Sequence, residues 1–348
     1  MSKRLQSIPQ LDGIRCICAF MVIMFHYLYR FDLGKFPFGE RGVQIFFVIS
    51  GFLITAILME QKDTVRSRLF LVKNFIIKRS LRIFPIYYIL LSVWLVVSLL
   101  SGVDWYKGNA IYYFTYTSNM LVYYKGWQNM QFGPLWTLAI EEQFYLIWPC
   151  IILFLPKKKE VWLMVLLVLG SLAFKFVFTD EKYARLLISQ IDMLGIGALI
   201  AYMIKYEYTF IINIVYTLRM PIIIITTTLL ITFKYWAVFR EAGLVYNICM
   251  LALPSTLVIG CYLGFKNFFG FFLNLRFVRY MGKISYGLYL YHMSILVVMD
   301  MLSKKITSIY FNNVVMFLIS IGLTILVAHL SYILIEKRFI RLKEKFDV

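Results

Sequence analysis

LDGIRCICAFMVIMFHYLYRF, residues 11–31, is almost wholly apolar or aromatic, yet it carries Arg15 and His26. As a helix it is long enough to cross the ~30 Å hydrocarbon core of a bilayer. At ~100° per residue, eleven residues bring the second side chain back to within about 20° of the first, some 16 Å further along the axis. An idle charge in a membrane helix is expensive, so an ionisable pair on one face marks function. The pair reads as a charge-reading end and a reactive end of one buried site.

The rest of the chain agrees with a membrane setting. Of 348 residues 61% are hydrophobic, the mean hydropathy is +0.77, and apolar runs of spanning length recur from end to end. Ten spans are predicted, near 11–30, 42–60, 83–101, 134–155, 161–178, 184–204, 219–235, 244–263, 284–302 and 313–335, in an all-α polytopic fold. The first is expected to be a retained span, because no small-residue cleavage site follows it. With the N-terminus inside, inner segments hold 23 of the 36 Lys and Arg residues and outer segments 12. That asymmetry follows the positive-inside rule and predicts two cytoplasmic termini. The net charge of +18 therefore sets topology, and no nucleic-acid partner is expected.

Residues 1–348 read as a single membrane domain without repeats, with two longer connections. Segment 61–82 mixes seven basic residues with Leu69, Phe70, Val72, Phe75, Ile76 and Ile77, the pattern of an amphipathic helix on the inner membrane surface. Segment 102–133, on the outer side, is crowded with aromatics including Trp105, Tyr106, Tyr113, Tyr116 and Trp127. These rings are expected at the headgroup level, in preference to stacking on sugar faces. Cys16 and Cys18 point to opposite helix faces and suit neither a disulfide nor a metal site, and no metal is expected.

Several motifs occur in a fixed order: Arg15 and His26, then FFVISGFLIT (46–55), RSLRIFPIYY (79–88), PLWTLAIEEQFYLIWP (134–149), ISYGLYLYH (284–292) and LSYILIEKRF (330–339). Together they resemble the acyltransferase-3 family of bacterial integral-membrane acyltransferases, many of which O-acetylate surface polysaccharides. The resemblance spans the whole chain. It implies ten helices, cytoplasmic acyl-CoA (acetyl-CoA in the first place) as donor substrate with no permanently bound cofactor, and a multi-pass protein of the bacterial cytoplasmic (inner) membrane. It departs from the family's pattern at Cys16, Gln190 and Arg338. The chain ends soon after the tenth span, so the hydrolase-like domain of some members is expected to be absent.

His26 suits a general base removing a proton from an attacking hydroxyl; its bland reading is helix packing. Arg15 suits a CoA phosphate or the pantetheine amides, and also a tie to Asp12 on its own face. Arg79 and Arg82, the family's RxxR pair, share a helix face and fit the nucleotide phosphates, although positive-inside anchoring explains them nearly as well. Glu141 aligns with the family's glutamate and is expected to orient His26 or stabilise its protonated form. Ser50-Gly51 is assigned to the donor site, with close helix approach the preferred role for the small residues, and direct acyl transfer preferred over a serine ester. Glu142, Asp192, His292 and Trp136 are substrate-contacting or structural candidates. The expected reaction transfers an acyl group, acetyl in the first place, from acyl-CoA to a hydroxyl of a surface polysaccharide or its lipid-linked precursor. A transporter or flippase for a lipid-linked saccharide is the alternative, disfavoured because no related halves appear.

Overall fold

The structure, a computed structural model, describes residues 8–34, 38–235, 243–305 and 313–346. Residues 1–7, 35–37, 236–242, 306–312 and 347–348, which hold part of the basic charge counted for topology, lie outside the described residues. Among the described residues every regular element is helical. In chain order these are α1 (Pro9–Arg30), α2 (Gly39–Lys62), α3 (Arg68–Ser101), α4 (Ala110–Phe114), α5 (Ser118–Lys125), α6 (Leu135–Phe154), α7 (Lys157–Val177) and α8 (Leu187–Lys205). There follow α9 (Thr209–Thr217), α10 (Arg219–Tyr235), α11 (Gly243–Leu263), α12 (Phe268–Asn274), α13 (Arg276–Lys283), α14 (Ser285–Lys305) and α15 (Asn313–Ser331). A π turn over Tyr332–Glu336 leads into α16 (Lys337–Leu342).

Eight helices are long and apolar enough to cross a membrane, and the number rises to ten if two bent pairs each count as one span. This is a multi-pass membrane protein. The bent pairs fall where spans seven and nine were expected. The first is α9 with α10, bent by 63° at Leu218, and the second is α13 with α14, bent by 68°. The second has a physical cause in the sequence. Basic, amphipathic α13 (RFVRYMGK) cannot continue as a buried apolar helix, and α14 carries Ser285, Tyr289, His292 and Ser294 inward.

Local chemistry sets the ends. Proline occupies the first turn of α1, where its missing N–H is not needed. The Ser67 hydroxyl accepts from the Phe70 amide at 3.3 Å and starts α3. Gly102, with φ +68°, ends it in the left-handed conformation. Segment 61–82 does not form a helix of its own. From Arg68 onward it is the opening of α3, continuous with the expected span and carrying Arg79 and Arg82 up to the internal Pro85.

The core has two halves. One packs α2, α6, α8 and α11 around Phe52, Trp148 and Met193; the other packs α3, α14 and segment 102–133 around Tyr87, Phe132 and Leu290. Helix α1 belongs to both, and Cys18 and Cys16 face the first and the second respectively. The expectation that the 102–133 rings lie at the headgroup level is corrected for three of them. Tyr106, Tyr113 and Tyr116 are buried in the protein. Tyr106 donates to the Leu91 carbonyl, and the Tyr116 ring stacks 4.1 Å from Tyr87. These phenols close one end of the bundle, whereas Tyr124 and Trp127 stay exposed. The Tyr106 phenol meets the Leu91 carbonyl and the Tyr113 phenol accepts from Asn129 Nδ2, whereas the buried Tyr116 hydroxyl has no hydrogen-bond partner among the described residues and its ring is held by stacking on Tyr87.

Candidate active site

Between the two halves lies a cavity open to one side. Its lining comes from α1, α2, α3, α6 and α14. Arg15, Arg79 and Arg82 line it together, and Glu141 is the acidic residue that faces them. Two helices, α1 and α3, thus bring three guanidinium groups to one space, although the residues are up to 67 positions apart in sequence. Such a concentration of fixed positive charge with forked donors suits phosphate. Arg15 also makes the expected contact with Asp12, at 3.5 Å. The Arg79 guanidinium lies 5.5 Å from the centroids of both Phe75 and Tyr145, which fixes its plane without using up its donors.

Ser50 and Glu141 meet in the middle of this space. The Ser50 hydroxyl donates to a Glu141 oxygen at 2.8 Å, and the Tyr145 hydroxyl donates to Ser50 Oγ at 3.3 Å. Glu141 and Tyr145 are four residues apart and share a helix face, which is why both reach the same serine. Gly51 faces away from the cavity. A Cβ there would stand 2.0 Å from the Leu194 carbonyl oxygen, so glycine permits α2 and α8 to touch.

His26 is half-buried near the opposite end of α1 from Arg15 and lies outside the cavity lining. Among the described residues it makes no hydrogen bond. Its ring packs edge-on against Phe25 and stands 5.3 Å from the ring of His292. His292 is fully buried. Its Nδ1 is 2.6 Å from the Tyr289 carbonyl, an arrangement that requires an N–H there and leaves Nε2 as an acceptor. That Nε2 is buried and has no hydrogen-bond partner among the described residues. Tyr289 joins the histidines to the cavity: it lines the cavity and its hydroxyl lies 2.7 Å from Thr137 Oγ1.

The remaining candidates separate. Glu142, about 100° around α6 from Glu141, is buried with Oε1 unpartnered among the described residues and is not part of the cavity lining. Asp192 is fully buried and paired with Lys175 at 2.6 Å, which supplies the partner that Gln190 could not. Trp136 carries the Arg185 guanidinium over its ring at 4.5 Å. Sequence reasoning passed over Tyr145, Thr137, Tyr289 and Arg185. Spacing of four in Thr137, Glu141 and Tyr145 was a usable signal; Arg185, on a 3-10 turn, offered none.

A polytopic helical protein with an arginine-lined cavity near a pair of neighbouring histidine rings defines the class. The acyltransferase-3 family model, described as an acyltransferase domain, matches residues 8–333, and the chain belongs to that family. It is 27% identical to the peptidoglycan O-acetyltransferase OatA of Listeria monocytogenes over 94% of this chain and 55% of that protein. It is 28% identical to the putative peptidoglycan O-acetyltransferase YrhL of Bacillus subtilis, over 95% of this chain and 54% of that one. A putative O-acetyltransferase of Staphylococcus aureus is 27% identical over 97% of this chain and 58% of its own length. The chain thus spans little more than half the length of these relatives. No solved structure matches it.

Proposed function

We propose that this protein is an O-acetyltransferase of the bacterial cytoplasmic membrane, moving an acetyl group from cytoplasmic acetyl-CoA to a hydroxyl of a cell-surface glycan or its lipid-linked precursor. The observation that carries the reading is the convergence of Arg15, Arg79 and Arg82 on one cavity, with Ser50 and Glu141 beyond them and His26 past its edge. Family membership supplies the class of reaction, and the relatives' names supply the glycan. The charge distribution supports a donor arriving from the cytoplasmic side, where the N-terminal end of α1 and the basic opening of α3 are placed by the positive-inside rule.

In this reading the three arginines hold the phosphates of CoA and the pantetheine arm runs along α1 toward His26. The imidazole of His26 takes the proton of the acceptor hydroxyl as its oxygen attacks the thioester carbonyl carbon. A C–O bond forms, the C–S bond breaks, and the CoA thiolate leaves and recovers the proton from the imidazolium. Glu141, hydrogen-bonded to Ser50, supports this chemistry through its charge, without a direct bond to His26.

Transfer from radiolabelled acetyl-CoA to glycan in membranes containing the full-length chain tests the proposal. His26→Ala is expected to lower the rate by about a hundredfold or more, the usual contribution of a positioned general base. Full activity of that variant would overturn it.

A further inference from the structure

Beyond the cavity, at the end of the bundle where α1 finishes, two indoles and a guanidinium come together. The Arg185 guanidinium carbon is 4.5 Å from the ring centroid of Trp136 and 5.1 Å from that of Trp127. Trp136 precedes Thr137, whose side chain lines the cavity. Trp127 belongs to segment 102–133 and is 57% exposed. Arg185 closes the 3-10 turn Glu181–Arg185, and its carbonyl accepts from Asn119 Nδ2 at 3.3 Å, which ties the turn to α5.

The stack fixes the plane of the guanidinium but does not use its donors. Among the described residues no hydrogen bond or ion pair is made by them; Glu40 and Glu181 act on Arg185 only at longer electrostatic range. An indole face suits the apolar C–H face of a pyranose, and forked N–H donors beside it suit the ring's hydroxyl and carbonyl oxygens. Neighbouring carboxylates offset the charge, so the ligand need not be an anion. Tyr289, on the cavity wall, is also within electrostatic reach of Arg185, so the cluster borders the reactive space without belonging to its lining.

We propose that Trp127, Arg185 and Trp136 form an acceptor subsite that holds a neutral saccharide ring adjacent to the one being acylated. The ring stacks on exposed Trp127 and accepts hydrogen bonds from Arg185, while the next unit of the glycan reaches past Trp136 toward Thr137 and Tyr289. This subsite rests on the acyltransferase reading above, and two readouts keep the two claims apart.

The probe is a tetrasaccharide of N-acetylglucosamine, titrated into the full-length protein in detergent. Tryptophan fluorescence reports binding, and acetyl transfer from acetyl-CoA to the same tetrasaccharide reports reaction. Wild type is expected to give a saturable fluorescence change. Trp127→Ala and Arg185→Lys are expected to raise both the half-saturation point and the acceptor KM about tenfold. The donor KM is expected to stay within about twofold, and Trp127→Phe to restore most of the acceptor affinity. Transfer with the same acceptor KM in wild type, Trp127→Ala and Arg185→Lys would overturn the subsite and leave the acyltransferase reading standing. Saturable binding that depends on Trp127, without transfer, would uphold the subsite and count against the reaction. Absence of both binding and transfer would overturn both.

Discussion

Ser50 Oγ accepts a hydrogen bond from Tyr145 and donates one to Glu141, at 3.3 and 2.8 Å. A nucleophilic serine needs a base to take its proton, and here the donated bond goes to a carboxylate, with no histidine between. Direct transfer therefore predicts that Ser50→Ala slows the reaction by no more than about 150-fold, the loss of one hydrogen bond to a charged group at about 1.5–3 kcal/mol. A trapped acyl-serine, or a fall to background in Ser50→Ala, would contradict this. The arginines and His26 were legible because a charge among apolar residues stands out, and because helical spacing places Arg15 and His26 on one face. The Glu141 expectation was legible only as far as its depth. That it bonds Ser50, and not His26, depends on helix rotations that no one-dimensional pattern carries. Arg185 was invisible for the opposite reason: a basic residue in a short polar turn is what any loop contains.

Helix α2 owes its position to glycine. Gly51 meets the Leu194 carbonyl, and Gly197 of α8 meets the Val48 carbonyl from the other side, each leaving room for hydrogen alone. Gly51→Ala is expected to destabilise the protein by about 1–3 kcal/mol, because backbone must move to admit the methyl group. Gly170→Ala, in α7 with open space around it, is expected to be neutral or to stabilise by up to about 1 kcal/mol. Thermal melts of the two variants in the same detergent check the pair; equal shifts would show that the α2–α8 contact is not close. The sequence reading of Gly51 as a contact residue therefore describes its place, while Ser50 alone of the two lines the cavity. Segment 102–133 was harder. Its aromatic richness has the same composition whether the rings meet lipid, sugar or each other, and burial was decided by partners distant in sequence: the Leu91 carbonyl for Tyr106, the Asn129 amide for Tyr113 and the stacked Tyr87 ring for Tyr116.

At the scale of the molecule, one end of the bundle is held by charge. The Lys62 ammonium, buried, bonds the Glu160 carboxylate at 2.5 Å and the Ile152 carbonyl at 2.6 Å, joining α2 to α6 and α7. Lys62→Met is expected to cost about 3–5 kcal/mol, because Glu160 would be left buried and unpaired. Next to this pair, Asp63 is clasped by Lys157 at 2.7 Å and Lys205 at 2.5 Å. Hydrogen bonds from Lys157, then Lys205, hold its carboxyl below the ordinary value of 3.8. A depressed folded value adds stability that is present in full above the unfolded value and is lost as pH falls through the folded one. Asp63→Asn should therefore lower the melting temperature at neutral pH and flatten its decline in acid; an unchanged acid limb would count against the clasp. All ten expected spans were legible as apolar runs, whereas the bends of 63° at Leu218 and 68° before Ser285 were not, because an apolar run carries no signal for a change of helix direction.

The central proposal is a donor cavity whose holding end, at Arg15, is separate from its reactive end, at His26. Calorimetric titration of acetyl-CoA into the detergent-purified protein, with Arg15→Ala and His26→Ala alongside, addresses it most directly. The proposal predicts wild-type binding in the micromolar range, about −8 kcal/mol, weakened at least about tenfold by Arg15→Ala and kept by His26→Ala. No binding by folded wild type, or binding lost with His26→Ala and kept with Arg15→Ala, would contradict it.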